Sequence, residues 1–250
     1  MKKIAVATLL LLLLFGAPLS AAPATTGVPS ININLDGSNG KQSISIPVQI
    51  VLFLTLLSFI PAILISVTSF TRIVIVFHFL RQALGTAETP SNQIMIGLTL
   101  FLTFFIMSPV AEQINRDAFQ PMAAGTISQT EALDRALIPL RDFMMKYTRE
   151  KDLALFLSIA KSPQPRNAGD VPTTVLIPAF MISELKTAFQ VGFVLFLPFL
   201  LIDMVVATVL LSMGMMQLPP VMVSMPFKIL LFIMVDGWNL VVGSLVRSFY

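Results

Sequence analysis

The chain has 250 residues, of which 56% are hydrophobic and 12% charged, and its formal net charge is +3. Soluble domains carry about 25% charged residues, so this composition cannot cover a soluble surface and predicts an integral membrane protein covered by lipid or protein partners. One histidine and no cysteine argue against disulfides and a transition-metal site, and the small net charge argues against a nucleic-acid partner.

Residues 1–22 have the layout of a cleavable signal peptide. Lys2 and Lys3 precede an apolar run with six successive leucines, and small residues close the segment at Ala22. Cleavage would change the formal charge from +3 to +1 and place the mature N-terminus outside the cytoplasm. Pro23 disfavours cutting that bond, so a neighbouring cleavage site and an uncleaved anchor helix are alternatives.

Residues 23–47 form a polar N-terminal segment. Apolar and polar residues alternate over 31–35 and 43–46 around a Gly-rich turn, which favours two short strands. An isolated hairpin is only marginally stable, so a flexible tail fits the same residues.

Residues 48–110 are predicted to form a first apolar helical hairpin. The run to residue 80 is too long for one span of about 20 residues. We therefore expect a span ending near Val67, a helical continuation carrying Arg72 and Arg81, and a second apolar helix over 94–109.

The expected break between these helices covers residues 85–92. Thr89 is the predicted N-cap of the second helix and Pro90 its first helical residue.

Residues 111–173 form a polar, amphipathic helical segment. It contains eight of the 16 basic and eight of the 13 acidic residues. Ser128 and Glu131 have the spacing of a capping box, and apolar residues recur at helical spacing over 133–144 and 153–160. We expect two amphipathic helices that pack on other parts of the protein and on each other, followed by a Pro- and Gly-containing linker.

Residues 174–250 are predicted to form a second apolar helical hairpin with a Met-rich break at 212–220. Hydropathy then gives four spans, with both mature termini outside. Arg72 and Arg81 agree with a cytoplasmic connection after the first span.

Several charged residues interrupt these apolar helices. Each would cost about 2.5–3.5 kcal/mol at the bilayer centre, so they are predicted to face protein, a water-filled path or each other. Three interpretations stay open: pairs between helices or subunits that fix assembly, a proton or ion relay, and snorkelling near helix ends. The residues are Glu184, Lys186, Asp203, Lys228 and Asp236.

The spacing of these charges restricts how they can pair. Glu184 and Lys186 are two residues apart, so they point to different faces of a helix and each needs its own partner. Arg149 is a candidate partner for Glu184. In a hairpin that turns at the end of the break, Asp203 and Lys228 would lie at different heights, and a kink or a neighbouring subunit would have to join them.

The break itself carries Met213, Met215 and Met216 around Gly214. Methionine is flexible and packs against many shapes, so a ring of such loops could form a deformable plug that parts for an unfolded chain. A simple hairpin turn, with methionines facing lipid or filling core, is the alternative. We find no catalytic constellation and no Gly-rich phosphate loop, and expect neither an enzyme nor a cofactor.

Several motifs place charged and aromatic residues within apolar stretches. They lie at residues 69–76, 80–86, 97–107, 178–180, 183–189, 192–193, 226–228, 235–238 and 243–245. With these motifs the chain resembles the FliP family of type III secretion export-gate subunits over essentially its whole length. The resemblance implies an all-α fold of membrane-type hairpins with a polar insertion, assembling into a helical ring.

In that family the ring is a homopentamer joined by the FliQ and FliR subunits. The resemblance implies an entry pore for unfolded flagellar export substrates across the bacterial inner membrane, within the flagellar basal body and facing the periplasm. The signal peptide and N-terminal segment are more similar to the flagellar branch than to the virulence branch.

The resemblance also implies roles for particular residues. The family's methionine gate corresponds to Met215 and Met216, with Met213 nearby, and Gln217 stands where many members have a third consecutive methionine. The plug would then be one apolar side chain short.

The resemblance implies that the family's important intramembrane acid and lysine correspond to Asp203 and Lys228. Arg149 and Glu184 occupy positions that are linked to subunit contacts in the family.

Two other functions remain as alternatives. A small secondary transporter or ion channel would use Asp203, Asp236 and Lys228 as a relay, although we see no internal repeat of the kind transporters often show. A structural membrane scaffold would have no pore.

Overall fold

The structure is a computed structural model that describes residues 46–86, 89–163, 165, 167–215 and 217–250. The chain divides into two units, Met1–Thr55 and Leu56–Tyr250, and the described part of the first is the beginning of one helix. The predicted signal peptide and nearly all of the polar N-terminal segment lie outside the described residues. Ile46 begins this helix and does not end a strand.

The described residues form helices and contain no strand, which confirms the predicted all-α class. In chain order the helices are α1 (Ile46–Val67), α2 (Phe70–Ala83), α3 (Asn92–Ile114), α4 (Gln120–Ala123), α5 (Gln129–Tyr147), α6 (Glu150–Ile159), α7 (Thr173–Ser212), α8 (Pro220–Met234) and α9 (Gly237–Arg247). A π-helical turn at Asn115–Phe119 joins α3 to α4, and a 3₁₀ turn at Ala168–Asp170 precedes α7.

The described helices include three that are long and apolar enough to cross a membrane: Ile50–Val67, Asn92–Ala123 and Thr173–Ser212. A fourth span results if α8 and α9, which meet at a bend of 66°, are taken together. These spans match the four expected from hydropathy. With 40 residues, α7 is about 60 Å long, about twice the thickness of a hydrocarbon core.

The start of α3 differs from the prediction. Its N-cap is Ser91, in an extended conformation with ψ of 155°, and the first helical residue is Asn92. Thr89 as N-cap and Pro90 as first helical residue were therefore wrong. The Ser91 carbonyl accepts the first helical hydrogen bond, from the Met95 N–H at 3.1 Å, and the Ser91 hydroxyl makes no capping bond, so the helix begins after Pro90.

The polar segment forms the two predicted amphipathic helices, α5 and α6. The Ser128 hydroxyl accepts a hydrogen bond from the Glu131 backbone N–H at 3.2 Å, which is one half of the predicted capping box; the reciprocal bond to the Glu131 carboxylate does not form. The Glu131 carboxylate accepts a hydrogen bond from Arg135 one turn later. Helix α6 packs mainly against α7, whereas α5 contacts α7 and also α3 and the π-helical turn that follows it. The two amphipathic helices make little contact with each other, so the expectation that they pack on each other was wrong.

Helix α2 lies along α7 in the most extensive helix contact of the described residues. Ala188 and Gly192 are small buried residues one and two helical turns after Glu184, on the face of α7 that packs against α2, and they let the two backbones approach. A Cβ built on Gly192 would lie 2.5 Å from the Phe79 ring, so only glycine fits there without movement.

Replacing Gly192 with alanine is expected to lower the free energy of unfolding by about 1–3 kcal/mol, because the new methyl group overlaps the Phe79 ring. Thermal unfolding of the detergent-solubilised protein measures this. Gly97→Ala is the matched control, because a Cβ there meets nothing within 4 Å and alanine is the better helix former. Equal losses at both glycines would contradict the argument.

Candidate functional site: buried charges and the methionine break

A buried ion pair joins α2 to α7. The Arg72 Nε donates a hydrogen bond to Glu184 Oε2 at 2.8 Å, and its Nη2 donates to Oε1. The exposed fractions of the two side chains are 3% and 0%. Two parallel, charge-assisted hydrogen bonds make this one of the stronger polar contacts that proteins form.

The other side of the Arg72 guanidinium is covered by residues that follow α9. Its Nη1 donates to Ser248 O at 3.2 Å and to Ser248 Oγ at 2.9 Å. The Phe249 ring centroid lies 3.8 Å from the guanidinium carbon and that of Tyr147 5.5 Å, and the Tyr147 hydroxyl donates to Phe249 O. We call Ser248 and Phe249 in this arrangement the clasp.

Arg149 does not pair with Glu184, so that candidate pairing was wrong. The Arg149 backbone N–H donates to Ser183 Oγ at 3.0 Å, and its Nη2 donates to Gln190 Oε1 at 2.5 Å. Its side chain therefore runs along α7 away from Glu184, whose two carboxylate oxygens are already occupied by Arg72.

The burial of Arg72 also corrects the topology argument. The predicted orientation of the chain in the membrane counted Arg72 as a positive charge in a cytoplasmic connection. It lies inside the protein, and a paired interior residue carries no such information.

Lys186 has its own partner, as the two-residue spacing from Glu184 predicted. Its Nζ lies 3.9 Å from Asp152 Oδ1 on α6. Asp152 is buried and also accepts a hydrogen bond from Ser183 Oγ at 2.8 Å. This contact ties the polar segment to α7 beside the Glu184 pair.

A second ion pair closes the α7–α8 hairpin. Lys228 Nζ donates to Asp203 Oδ2 at 2.6 Å, and Ser224 Oγ donates to Asp203 Oδ1 at 2.5 Å. Only 1% of the Lys228 side chain is exposed, against 18% for Asp203. Each charge therefore has its main partner within the same subunit.

The expected height mismatch between Asp203 and Lys228 was wrong, because the chain turns across the whole break and not only at the prolines at its end. Helix α7 ends at Ser212, nine residues after Asp203, and α8 begins at Pro220, eight residues before Lys228. At 1.5 Å per residue the two charges lie about 13 Å and about 12 Å from the break. Neither a kink nor a second subunit is needed to join them.

Asp236 differs from the other intramembrane charges. It is exposed and lies between α8 and α9 with a left-handed backbone, φ 51° and ψ 52°. No ion pair links it to another described residue.

The methionine break begins with a capped helix end. The N–H of Gly214, whose φ is 74°, donates to Leu211 O, and the N–H of Met215 donates to Leu210 O, both at 3.0 Å. This pair of bonds satisfies carbonyl groups at the end of α7 and favours glycine at the left-handed position.

The side chains of Met213 and Met215 are 66% and 44% exposed, so they do not fill the core of the subunit. Met216 lies outside the described residues. Gln217 is exposed.

An apolar cleft of about 660 Å³ begins at the break and runs between α7 and α8. Its walls contain no polar surface. Among its lining residues are Leu201, Val205, Val209, Met213, Met215 and Phe227. The two methionines therefore extend an apolar surface that continues along α7.

Sequence reasoning missed the partners that fix the buried charges. The missed partners lie far along the chain from Arg72 and Lys186, which they contact. They are Tyr147, Asp152, Ser248 and Phe249. The available signal was Arg72 itself, a charged residue within an apolar stretch that needs a buried partner.

The family comparison covers most of this region. A profile of the FliP family matches residues 52–245, which include both ion pairs and the methionine break. The chain belongs to the FliP family. It is 56% identical over 217 residues to the flagellar biosynthetic protein FliP of Bacillus subtilis, covering 87% of this chain and 98% of that relative.

Other FliP relatives are similar over comparable lengths. The FliP protein of Pectobacterium carotovorum is 53% identical over 212 residues, covering 85% of this chain and 82% of that relative. The FliP protein of Aquifex aeolicus is 48% identical over 233 residues, covering 92% and 96%. The similarity therefore includes helices outside the methionine break as well as the break itself.

Proposed function

We propose that this chain is a subunit of the flagellar type III protein export gate, and that it forms part of the entry pore through which unfolded export substrates cross the inner membrane. Its relatives are named flagellar biosynthetic proteins. The observation that best supports the pore role is the capped helix end at Gly214, where Met213 and Met215 are exposed. They lie at the tip of the α7–α8 hairpin, which the Asp203–Lys228 ion pair holds together.

In the proposed assembly, five copies form a helical ring with FliQ and FliR. The support from this chain is its exposed apolar surface, which includes Phe101, Phe104 and Phe105 on α3. A surface of this kind must be covered by lipid or by protein. Other export-apparatus and basal-body proteins, together with membrane lipid, would cover the rest at the periplasmic side of the inner membrane.

The charged residues would divide their roles in this assembly. Glu184, Asp203 and Lys228 are paired inside the subunit and would hold its helices in place. Arg149, Lys186 and Asp236 keep partly or largely exposed side chains and would contact neighbouring subunits. In this proposal the charged residues that remain accessible in the single chain are the ones that contact other subunits.

The test replaces Met213, Met215 and Met216 with alanine and measures ion leakage through the membrane of cells that contain the export apparatus. We expect leakage to rise while the chain still assembles, because alanine shortens the apolar plug. Met222→Ala and Met234→Ala are the controls, since both methionines are at least as exposed as Met213 and Met215 but lie outside the break. Unchanged leakage in the triple variant, or equal leakage in the controls, would count against a methionine gate.

A small secondary transporter or ion channel is the second candidate, favoured by the Asp203–Lys228 pair within apolar helices. In a transporter, Asp203→Asn would abolish coupled uptake and leave the membrane closed to other ions. In the export gate it would reduce secretion of flagellar substrates into the medium. A structural scaffold without a pore would show neither leakage nor loss of uptake.

A further inference from the structure

Helices α8 and α9 are separated by very little chain. Asp236, at the break, has φ 51° and ψ 52°, and the helices on either side differ in direction by 66°. Val235 also departs from the helical region, with φ −90° and ψ 7°, which is the bridge region. The bend therefore lies in the backbone of these two residues, and Asp236 is the one with a left-handed conformation.

A right-handed helical backbone at Asp236, with a smaller rotation at Val235, would join the two helices. The result would be a continuous helix over residues 220–247, about 42 Å long, with its main-chain hydrogen bonds restored at the break. For a residue other than glycine, a left-handed backbone is strained, with asparagine and aspartate the most tolerant. The bent arrangement therefore needs compensating contacts.

The clasp provides such contacts at the far end of α9. Ser248 accepts two hydrogen bonds from the buried Arg72, and Phe249 packs its ring on the same guanidinium. Phe249 is only 4% exposed. Residues next to a helix end usually fray unless they are held in this way.

Contacts near the break act in the same direction. Trp238 packs edge-on against Phe232, with ring centroids 5.4 Å apart, and against Phe77 at 6.5 Å.

A cavity of about 350 Å³ borders Trp238 and is also lined by Phe232 and Pro90. Trp238 therefore has space beside it into which its ring can move.

We propose that Asp236 is a hinge with a bent and a straight state, and that the clasp on Arg72 holds it bent. Releasing the clasp removes contacts that only the bent state makes, so the equilibrium shifts toward the continuous helix. The inference concerns this subunit alone and does not depend on the pore.

The test measures the distance across the hinge directly. The natural chain has no cysteine, so cysteines at the exposed positions Met222 and Ser244 give two unique sites for spin labels. With a 66° bend at Asp236 the two helix positions lie about 28 Å apart, and in a continuous helix about 33 Å. Pulsed electron spin resonance on the full chain in detergent resolves these populations.

Phe249→Ala weakens the clasp, and substitutions at Asp236 are compared in that background. Asp236→Ala and Asp236→Asn both remove the charge, but only asparagine keeps a tolerance for the left-handed backbone. We expect the straight-to-bent ratio to be about fivefold or more higher with alanine than with asparagine. Asp236→Gly should keep the short distance, because glycine adopts this backbone at no steric cost.

Equal distance distributions for the alanine and asparagine variants would overturn the proposal. So would a glycine variant that straightens as much as the alanine variant, because the carboxylate and not the backbone would then control the bend. Far-UV circular dichroism checks that each variant retains its helices. Phe249→Ala alone, with Asp236 intact, must show a larger population at the long distance than the spin-labelled chain without that substitution.

Discussion

Replacing Glu184 with glutamine is expected to lower the free energy of unfolding by about 3–5 kcal/mol, among the largest effects of any single substitution in this chain. The variant keeps the size of the side chain and removes its charge. Arg72, of which 3% is exposed, would then remain as a buried cation without a counter-ion. Its cost is high because neither water nor another described carboxylate reaches it.

Denaturant or thermal unfolding of the detergent-solubilised chain measures this loss. Glu131→Gln is the matched control, because Glu131 forms an exposed pair with Arg135 one helical turn away. Exposed pairs of that kind contribute about 0.3–0.5 kcal/mol. A Glu184 variant that lost no more stability than the Glu131 variant would show that the buried pair does not hold α2 on α7.

Arg72→Met should cost at least as much as Glu184→Gln, because arginine also contacts the clasp. The double variant removes both buried charges but not the need to satisfy Ser248. We therefore expect it to recover part of the lost stability and not all of it. Full recovery would mean that the contacts of Arg72 with Ser248 and Phe249 contribute nothing.

The elements that the sequence predicted correctly depend on local patterns. The end of α1 at Val67, the amphipathic helices α5 and α6, and the break after Ser212 all follow from hydropathy, helical periodicity or turn residues within a short stretch. These patterns express local chain preferences and the need to bury one face of a helix, so they can be recognised without knowing which helix packs against which.

Partner choice within the candidate site was harder to predict. Arg72 and Glu184 are 112 residues apart, and only the packing of α2 along α7 brings them together. Arg149 lies nearer to Glu184 in sequence but contacts α7 beyond it. Sequence established that Glu184 needs a cation, since a lone buried charge is costly, but several cations were available.

For Asp203 and Lys228, the sequence identified the residues and misjudged their geometry. The error came from where the helices stop. Counted from the two prolines, the charges lie at unequal heights, and counted from Ser212 and Pro220 they align. Counting the seven residues of the break as helix on one side alone adds about 10 Å to the apparent height difference.

The second large effect concerns the Asp203–Lys228 pair. Asp203→Asn is expected to cost about 3 kcal/mol or more in stability, because it leaves the Lys228 ammonium, of which 1% is exposed, without its charged partner. Lys228→Met should cost less, since Asp203 is 18% exposed and keeps the hydrogen bond from Ser224. Unfolding measurements in detergent give both values, and the opposite order would contradict the burial argument.

The double variant Asp203→Leu/Lys228→Met separates stability from function. Apolar residues of similar volume can replace a buried ion pair without loss of stability, so we expect its unfolding midpoint to return close to that of the parent. We nevertheless expect secretion of flagellar substrates to stay low. Apolar side chains pack in several registers, whereas the ion pair and Ser224 fix α8 against α7 and so fix the position of Met213 and Met215. A double variant with parental stability, normal assembly and normal secretion would show that the pair only holds the hairpin together, and that the methionine break does not need a fixed register.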